Sequence, residues 1–157
     1  MQYCCKYNTN ATKNHYFCRM NQMAETILSK HKLRKTPFRI QVLEVFINSR
    51  NSALKNTDLE EAIKDFDRIT LYRTIKTFEK SGIIHQAIDG SNESKYALCS
   101  ADCSEHHHED DHAHFFCNAC HKTYCLENAV SAQLSLPQDF KLSKMHIALN
   151  GVCVNCN

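Results

Sequence analysis

The stretch Arg68-Ile69-Thr70-Leu71-Tyr72-Arg73-Thr74-Ile75-Lys76-Thr77-Phe78-Glu79-Lys80-Ser81-Gly82-Ile83-Ile84-His85 decides the fold. Leu71, Ile75 and Phe78 recur at helical spacing and make one apolar stripe. Arg68, Tyr72, Arg73, Lys76 and Thr77 fall mostly outside that stripe. Gly82 is placed to end the helix. Ile83–Ile88, the turn residues Asp89-Gly90-Ser91-Asn92 and the run Lys95–Leu98 then predict a β-hairpin. A basic helix followed at once by a hairpin is the second half of a winged helix-turn-helix, whose last helix enters the major groove of DNA.

Upstream, three shorter helical patterns complete that unit. Met23, Ala24, Ile27 and Leu28 share one helical face. Thr36-Pro37 opens a second helix, with Thr as cap and Pro at the first helical position, and Val42, Leu43, Phe46 and Ile47 repeat inside it. Thr57-Asp58-Leu59-Glu60 reads as a capping box opening a third, with Leu59, Ala62, Ile63 and Phe66 inward. Residues 1–20 carry the turn formers Asn8-Thr9-Asn10 and Thr12-Lys13-Asn14 and no periodicity, and are read as a poorly ordered extension. Cys4, Cys5 and Cys18 fall there, away from any paired motif.

Downstream, the period changes. Ala113–Phe116 and Thr123–Leu126 read as short strands, Glu127–Leu134 as a helix stopped near Pro137, and Phe140–Leu149 as a longer strand. Two Cys-x-x-Cys pairs, Cys117/Cys120 and Cys153/Cys156, fall in this part, so the predicted fold is α+β: an N-terminal winged helix-turn-helix followed by a small α+β zinc-binding dimerisation domain. The boundaries are an extension over 1–20, a DNA-binding domain over 21–99, a His/acidic linker over 100–112 and a metal-binding dimerisation domain over 113–157.

Charge supports the division. The chain of 157 residues has a net charge of only +2, but residues 1–84 hold 15 Lys and Arg against 8 Asp and Glu, whereas residues 85–157 hold 4 against 9. A basic half beside an acidic half suggests a polyanion-binding module joined to a metal-binding one. The start Met1-Gln2-Tyr3-Cys4-Cys5-Lys6 has no apolar core of a signal peptide, and no apolar run approaches spanning length. The ten cysteines are therefore read as reduced thiols of a cytoplasmic protein.

Two knuckles, Cys117-Asn118-Ala119-Cys120 and Cys153-Val154-Asn155-Cys156, supply four thiolates at the spacing of a structural zinc cage. Each pair reaches one ion at about 2.3 Å, and four sulfurs leave no open coordination position for catalysis. His106-His107-His108-Glu109-Asp110-Asp111-His112-Ala113-His114 lies just ahead of the first knuckle, so the chain offers ligands for more than one ion.

With these elements in this order, the chain resembles the ferric uptake regulator family of metal-dependent transcriptional repressors, most closely its zinc uptake branch. The segments that carry the resemblance are Leu33-Arg34-Lys35-Thr36-Pro37-Phe38-Arg39, Ile69–Thr74, Gly82-Ile83-Ile84-His85, His112–Cys120 and Asn150–Cys156. It implies a homodimer that reads a palindromic, AT-rich operator and closes on it when a metal binds between the domains. Among ligands for that regulatory ion it implies His85, Cys99, His112 and His114, with Cys125 standing where iron-type members often carry a glutamate. Five candidates exceed the usual four. Thiolates are soft ligands and favour zinc over Fe²⁺ or Mn²⁺. Ser52-Ala53 also departs from the histidine common in iron- and peroxide-sensing members. A third site found in some members is not expected, because Ala113 and Met145 stand at two of its ligand positions and His146 is displaced by one residue. For DNA the resemblance points to Tyr72 and Arg73 in the major groove, supported by Arg68 and Thr70. Arg34 would enter the minor groove, Arg39 would bind phosphate, and Thr36 joins this set.

Two other classes compete. His107-His108-Glu109 ahead of Cys117 loosely mimics a zinc deaminase signature. The proline of that signature is missing, the gap is short and the second knuckle has no role, so no catalytic residue or small-molecule substrate is assigned. A metal buffer or chaperone would account for Cys and His but not for the basic helix and its wing. An iron- or peroxide-responsive regulator of the same fold would need a site of His and carboxylate.

Overall fold

The computed structural model describes residues 11–99, 112–126, 135–143 and 145–157. The element order is α1 (Ala11–Lys30), α2 (Pro37–Ser49), β1 (Leu54–Lys55), α3 (Asn56–Ala62), α4 (Arg68–Lys80), β2 (Ile84–Gln86), β3 (Lys95–Leu98), β4 (Ala113–Cys117), β5 (Thr123–Leu126) and β6 (Ile147–Gly151). Helices followed by a small sheet make the winged helix-turn-helix, and a second three-stranded sheet follows it, as the sequence predicts.

Each helix starts and stops for a local reason. Thr36 caps α2: its hydroxyl accepts the Arg39 amide at 3.3 Å, and Pro37 occupies the first position. Asp67 caps α4 by accepting both the amide and the hydroxyl of Thr70 at 2.7 Å. At the other end of α4, Gly82 takes φ +74, so its amide reaches Glu79 O at 3.1 Å and the Ile83 amide reaches Phe78 O at 2.9 Å. This is a Schellman closure, and it sends the chain directly into β2. The core gathers Ala24, Leu28, Leu43, Phe46, Leu59, Leu71, Ile75, Phe78 and Ile84. Phe46 and Phe78 are fully buried, each contributing about 1.5–3 kcal/mol by transfer from water.

The wing is a sheet of order β1-β3-β2, and the C-terminal sheet has order β5-β4-β6. β4 runs antiparallel to β5, with His114 opposite Cys125, and parallel to β6, with Cys117 opposite Gly151. The two sheets are joined where residues 51–53 run beside β5. Ala53 N donates to Thr123 O and Cys125 N to Asn51 O, both at 2.8 Å, and Ser52 bridges to Tyr124.

Four sequence expectations change. Helix α1 begins at Ala11, so residues 11–20, read as an extension, are helical. Met23 is half exposed, and Met20 takes the buried place beside Ala24 and Leu28. Helix α3 begins at Asn56 with Lys55 as cap, whose amide donates to the Asp58 carboxylate at 2.8 Å, in place of the Thr57/Glu60 box. The last strand starts at Ile147; Phe140 and Leu142 precede it, outside any strand and exposed. The helix expected over 127–134 and the run 106–111 lie outside the described residues. Among the described residues no helix is long and apolar enough to cross a membrane.

Candidate metal centres and nucleic-acid face

The first knuckle grows out of β4. Cys117 N donates to Lys122 O at 2.9 Å and His121 N to Cys117 O at 2.8 Å, with His121 at φ +59, so the chain reverses between the two cysteines and β5. The second knuckle follows β6, where Gly151 O accepts the Asn118 amide at 2.7 Å and ties the two turns together. Gly151 is closely packed there, because a Cβ would stand 3.0 Å from the Phe115 ring. The sulfurs of Cys117, Cys120, Cys153 and Cys156 lie within 4.8 Å of one another. Cys120 and Cys153 are 3.8 Å apart, against about 3.8 Å for the edge of a tetrahedron with 2.3 Å zinc–sulfur bonds.

Backbone amides of Cys120, Cys153 and Ala119 hold the Cys117 thiol down to about 6. Cys156 is pushed up to about 12 by proton sharing with Cys153 and Cys120. Tyr124 donates its hydroxyl to Cys153 Sγ at 3.7 Å, which pushes the phenol up to about 12.

The second cluster spans the two sheets. β2 supplies His85, the approach to β4 supplies His112, β4 supplies His114 and β5 supplies Cys125. His85 Nε2 lies 3.1 Å from His112 Nε2, 3.2 Å from His114 Nε2 and 3.5 Å from Cys125 Sγ. An ion bound tetrahedrally at about 2.0–2.1 Å to nitrogen and 2.3 Å to sulfur separates its ligands by about 3.3–3.6 Å, so the donor set fits. His85, His114 and Cys125 are buried and His112 is half-buried, which shields the centre from bulk water.

Of the five candidate ligands, the structure converges four. Cys99 stands on the far side of His85, its sulfur 3.5 Å from Nδ1. That is where an outer partner orients a ligating imidazole. Ala53 packs with Ala87, Ala97 and Cys125, so the Ser52-Ala53 position brings small apolar bulk to the centre and no ligand. His146 is exposed and belongs to neither cluster among the described residues.

A polar network lies beside this centre, and the sequence reading did not anticipate it. Lys95 and Asp89 pair at 2.6 Å with both side chains 1% exposed. Lys95 Nζ also donates to Thr123 Oγ1 at 3.0 Å and sits 4.6 Å from the Phe116 ring centroid. Burial alone would raise the Asp89 carboxyl, but hydrogen bonds from Lys95, Ser91 and Thr123 outweigh it and hold the group well below the carboxylate range. The one sequence signal was a lysine opening an otherwise apolar strand, Lys95–Leu98.

In the winged unit, Arg34, Thr36, Arg39, Thr70 and Arg73 line one groove of about 330 Å³ between the start of α2 and α4. Arg39 is oriented by donating to Arg34 O at 3.2 Å. Tyr72 is 58% exposed on the same helix, free of the core and available to a ligand. Arg68 stands outside this groove, paired with Glu60 at 3.3 Å.

Residues 30–150 match the family model described as the ferric uptake regulator family. No curated protein matches the chain in sequence. Solved structures match its fold. The ferric uptake regulator of Vibrio cholerae is 19% identical with a TM-score of 0.54, covering 82% of this chain and 98% of that one. A zinc uptake regulator complexed with zinc and DNA is 23% identical with a TM-score of 0.56, covering 88% and 93%. A zinc-bound manganese uptake regulator is 18% identical with a TM-score of 0.58, covering 83% and 98%.

Proposed function

The chain belongs to the ferric uptake regulator family of metal-dependent, DNA-binding transcription regulators, and from that premise we propose that it is a zinc-responsive repressor of metal-uptake genes. Residues 21–99 are its DNA-binding unit, 100–112 a linker and 113–157 its metal-binding dimerisation unit, and it works as a cytoplasmic homodimer on a palindromic, AT-rich operator. Cys117, Cys120, Cys153 and Cys156 hold a structural zinc.

The observation that carries the zinc reading is the donor set at the second centre: three imidazole nitrogens and the Cys125 thiolate. A soft sulfur favours zinc over Fe²⁺ and Mn²⁺, which suit carboxylate-rich sites. The alternative, an iron- or peroxide-responsive regulator, lacks support from any carboxylate among those four residues. Bound here, zinc cross-links the wing to the C-terminal sheet.

His85 transmits the effect. It lies three residues beyond Gly82, the stop of α4, so fixing its ring against His112, His114 and Cys125 fixes α4 relative to the dimerisation sheet. In a dimer this sets the spacing of the two α4 helices to that of successive half-sites. The ion shifts the balance by binding this docked arrangement more tightly than any other. Tyr72 and Arg73 then face base edges and phosphates, Arg34 and Arg39 the backbone and minor groove, and Thr36, Arg68 and Thr70 support them.

The test is operator binding by protein that keeps its structural zinc but is otherwise metal-stripped, titrated separately with Zn²⁺, Fe²⁺ and Mn²⁺. Restoration by Zn²⁺ alone at sub-micromolar free ion is expected. Restoration by Fe²⁺ or Mn²⁺ in its place overturns the zinc assignment. DNA binding that ignores all three overturns metal control and brings metal buffering forward.

A further inference from the structure

We propose that Asp89, Lys95 and Thr123 form a docking latch that seats the wing on β4 and β5 in one register without help from the second metal centre. None of the three is among the converging ligands. Asp89 and Lys95 belong to the wing, and Thr123 opens β5 in the C-terminal sheet. Thr123 Oγ1 accepts from Lys95 Nζ and donates to the Asp89 carboxylate, so one hydroxyl serves both ions. Phe116, the register partner of Thr123, supplies the aromatic face over which the ammonium lies. An ammonium this deeply buried is tolerated only where its protons find partners. Side chains alternate along a strand, so slipping β5 by one residue would offer Tyr124 or Lys122 in place of Thr123 and leave both charges unsatisfied.

The same alternation links the latch to the metal centre. Thr123 and Cys125 are both buried on one face of β5, while Tyr124 turns to the zinc cage. Seating Thr123 on Asp89 and Lys95 therefore brings Cys125 to His85, while Asp89 lies four residues from His85 on the wing. Backbone bonds from Ala53 N to Thr123 O and from Cys125 N to Asn51 O close the same boundary. Asp89, Lys95 and Thr123 are thus positioning residues: a chain already docked does not spend binding energy of the ion on docking. That consequence for metal affinity rests on the function proposed above, whereas the docking itself does not.

The experiment is amide hydrogen exchange on full-length protein whose cage holds zinc and whose second centre is kept empty. The Ala53 and Cys125 amides are expected to be protected in this state. Thr123→Val removes both hydrogen bonds of the hydroxyl, each to a charged group, and should speed their exchange at least about tenfold. Thr123→Ser should restore protection. Amides of the α2–α4 core and the zinc content of the cage should be unchanged in both variants, which separates undocking from misfolding. In zinc competition titrations the second centre of Thr123→Val should weaken by the same factor. The latch is overturned if Ala53 and Cys125 exchange freely until metal is added, or if Thr123→Val leaves their protection intact. Because the exchange measurement uses no ion at the second centre, failure of the zinc assignment leaves its outcome interpretable.

Discussion

The sulfur of Cys99 lies 3.5 Å from Nδ1 of His85, on the ring edge opposite the Nε2 that meets His112, His114 and Cys125. An imidazole offers one nitrogen to an ion and is held by the other, so the two cysteines beside this ring have different work. Co²⁺ placed in the second centre should show the charge-transfer absorption of one thiolate. Cys125→Ser should abolish that absorption. Cys99→Ser should keep it and weaken metal affinity by about 10- to 100-fold, the usual cost of losing an outer partner. Loss of the band in Cys99→Ser and its survival in Cys125→Ser would reverse the two roles.

The cage carries a pH dependence whose sign is fixed by Cys117. Its folded value of about 6 lies below the ordinary 9.0, so the hydrogen bonds to its thiolate contribute fully above pH 9 and fade as pH falls through about 6. Metal-free reduced protein should therefore show one thiolate ionising near pH 6 by ultraviolet absorbance. Cys117→Ser should remove that step and flatten the decline in thermal midpoint between pH 8 and pH 5.5. A wild-type titration in which no thiol ionises below about pH 8 would contradict this account.

The cage and the helix–hairpin order were legible because spacing alone encodes them: two Cys-x-x-Cys knuckles, and a 3.6-residue period giving way to alternation at Gly82. What escaped the sequence depended on partners. The first turns of α1, Ala11-Thr12-Lys13-Asn14-His15, are mostly polar and carry no apolar period in the sequence. Phe140 and Leu142 alternate like a strand, but among the described residues the parallel ladder with β4 starts only where Ala113 stands opposite Ile147. The α3 cap moved because Lys55 is held in β1 against Lys95, and the chain must turn there, within reach of Asp58. The sequence favoured Cys99 over Cys125 as the soft ligand; the orientation of the His85 ring reverses that order, setting Cys125 with the other three ligands and Cys99 at Nδ1.

On the DNA face, Arg73 and Arg34 line one groove from different elements and should be separable. Arg73→Ala is expected to cost about 1–3 kcal/mol of operator affinity and to relax discrimination against altered half-sites. Arg34→Ala should weaken binding to DNA with a narrow, AT-rich minor groove more than to GC-rich DNA, and reduce the salt-dependence slope by about one. Fluorescence anisotropy at several salt concentrations checks both. Equal losses on all sequences for Arg73→Ala would reassign it to the phosphate backbone.

Gly151 gives the last test, because it joins packing to metal retention. A Cβ there would stand 3.0 and 3.2 Å from two atoms of the Phe115 ring, and Gly151 O holds the Asn118 amide of the other knuckle at 2.7 Å. Gly151→Ala must displace either the ring or the strand, and overpacking of this kind costs about 1–3 kcal/mol. If the strand yields, Cys153 and Cys156 move away from Cys117 and Cys120, and zinc should leave the cage faster when a chelating dye is added. Shortening the ring with Phe115→Leu in the same chain should recover much of the loss, since it clears the atoms that the new methyl would meet. Zinc release from Gly151→Ala at the wild-type rate, with a lowered thermal midpoint, would mean that the ring yields and that β6 is held chiefly by its pairing with β4.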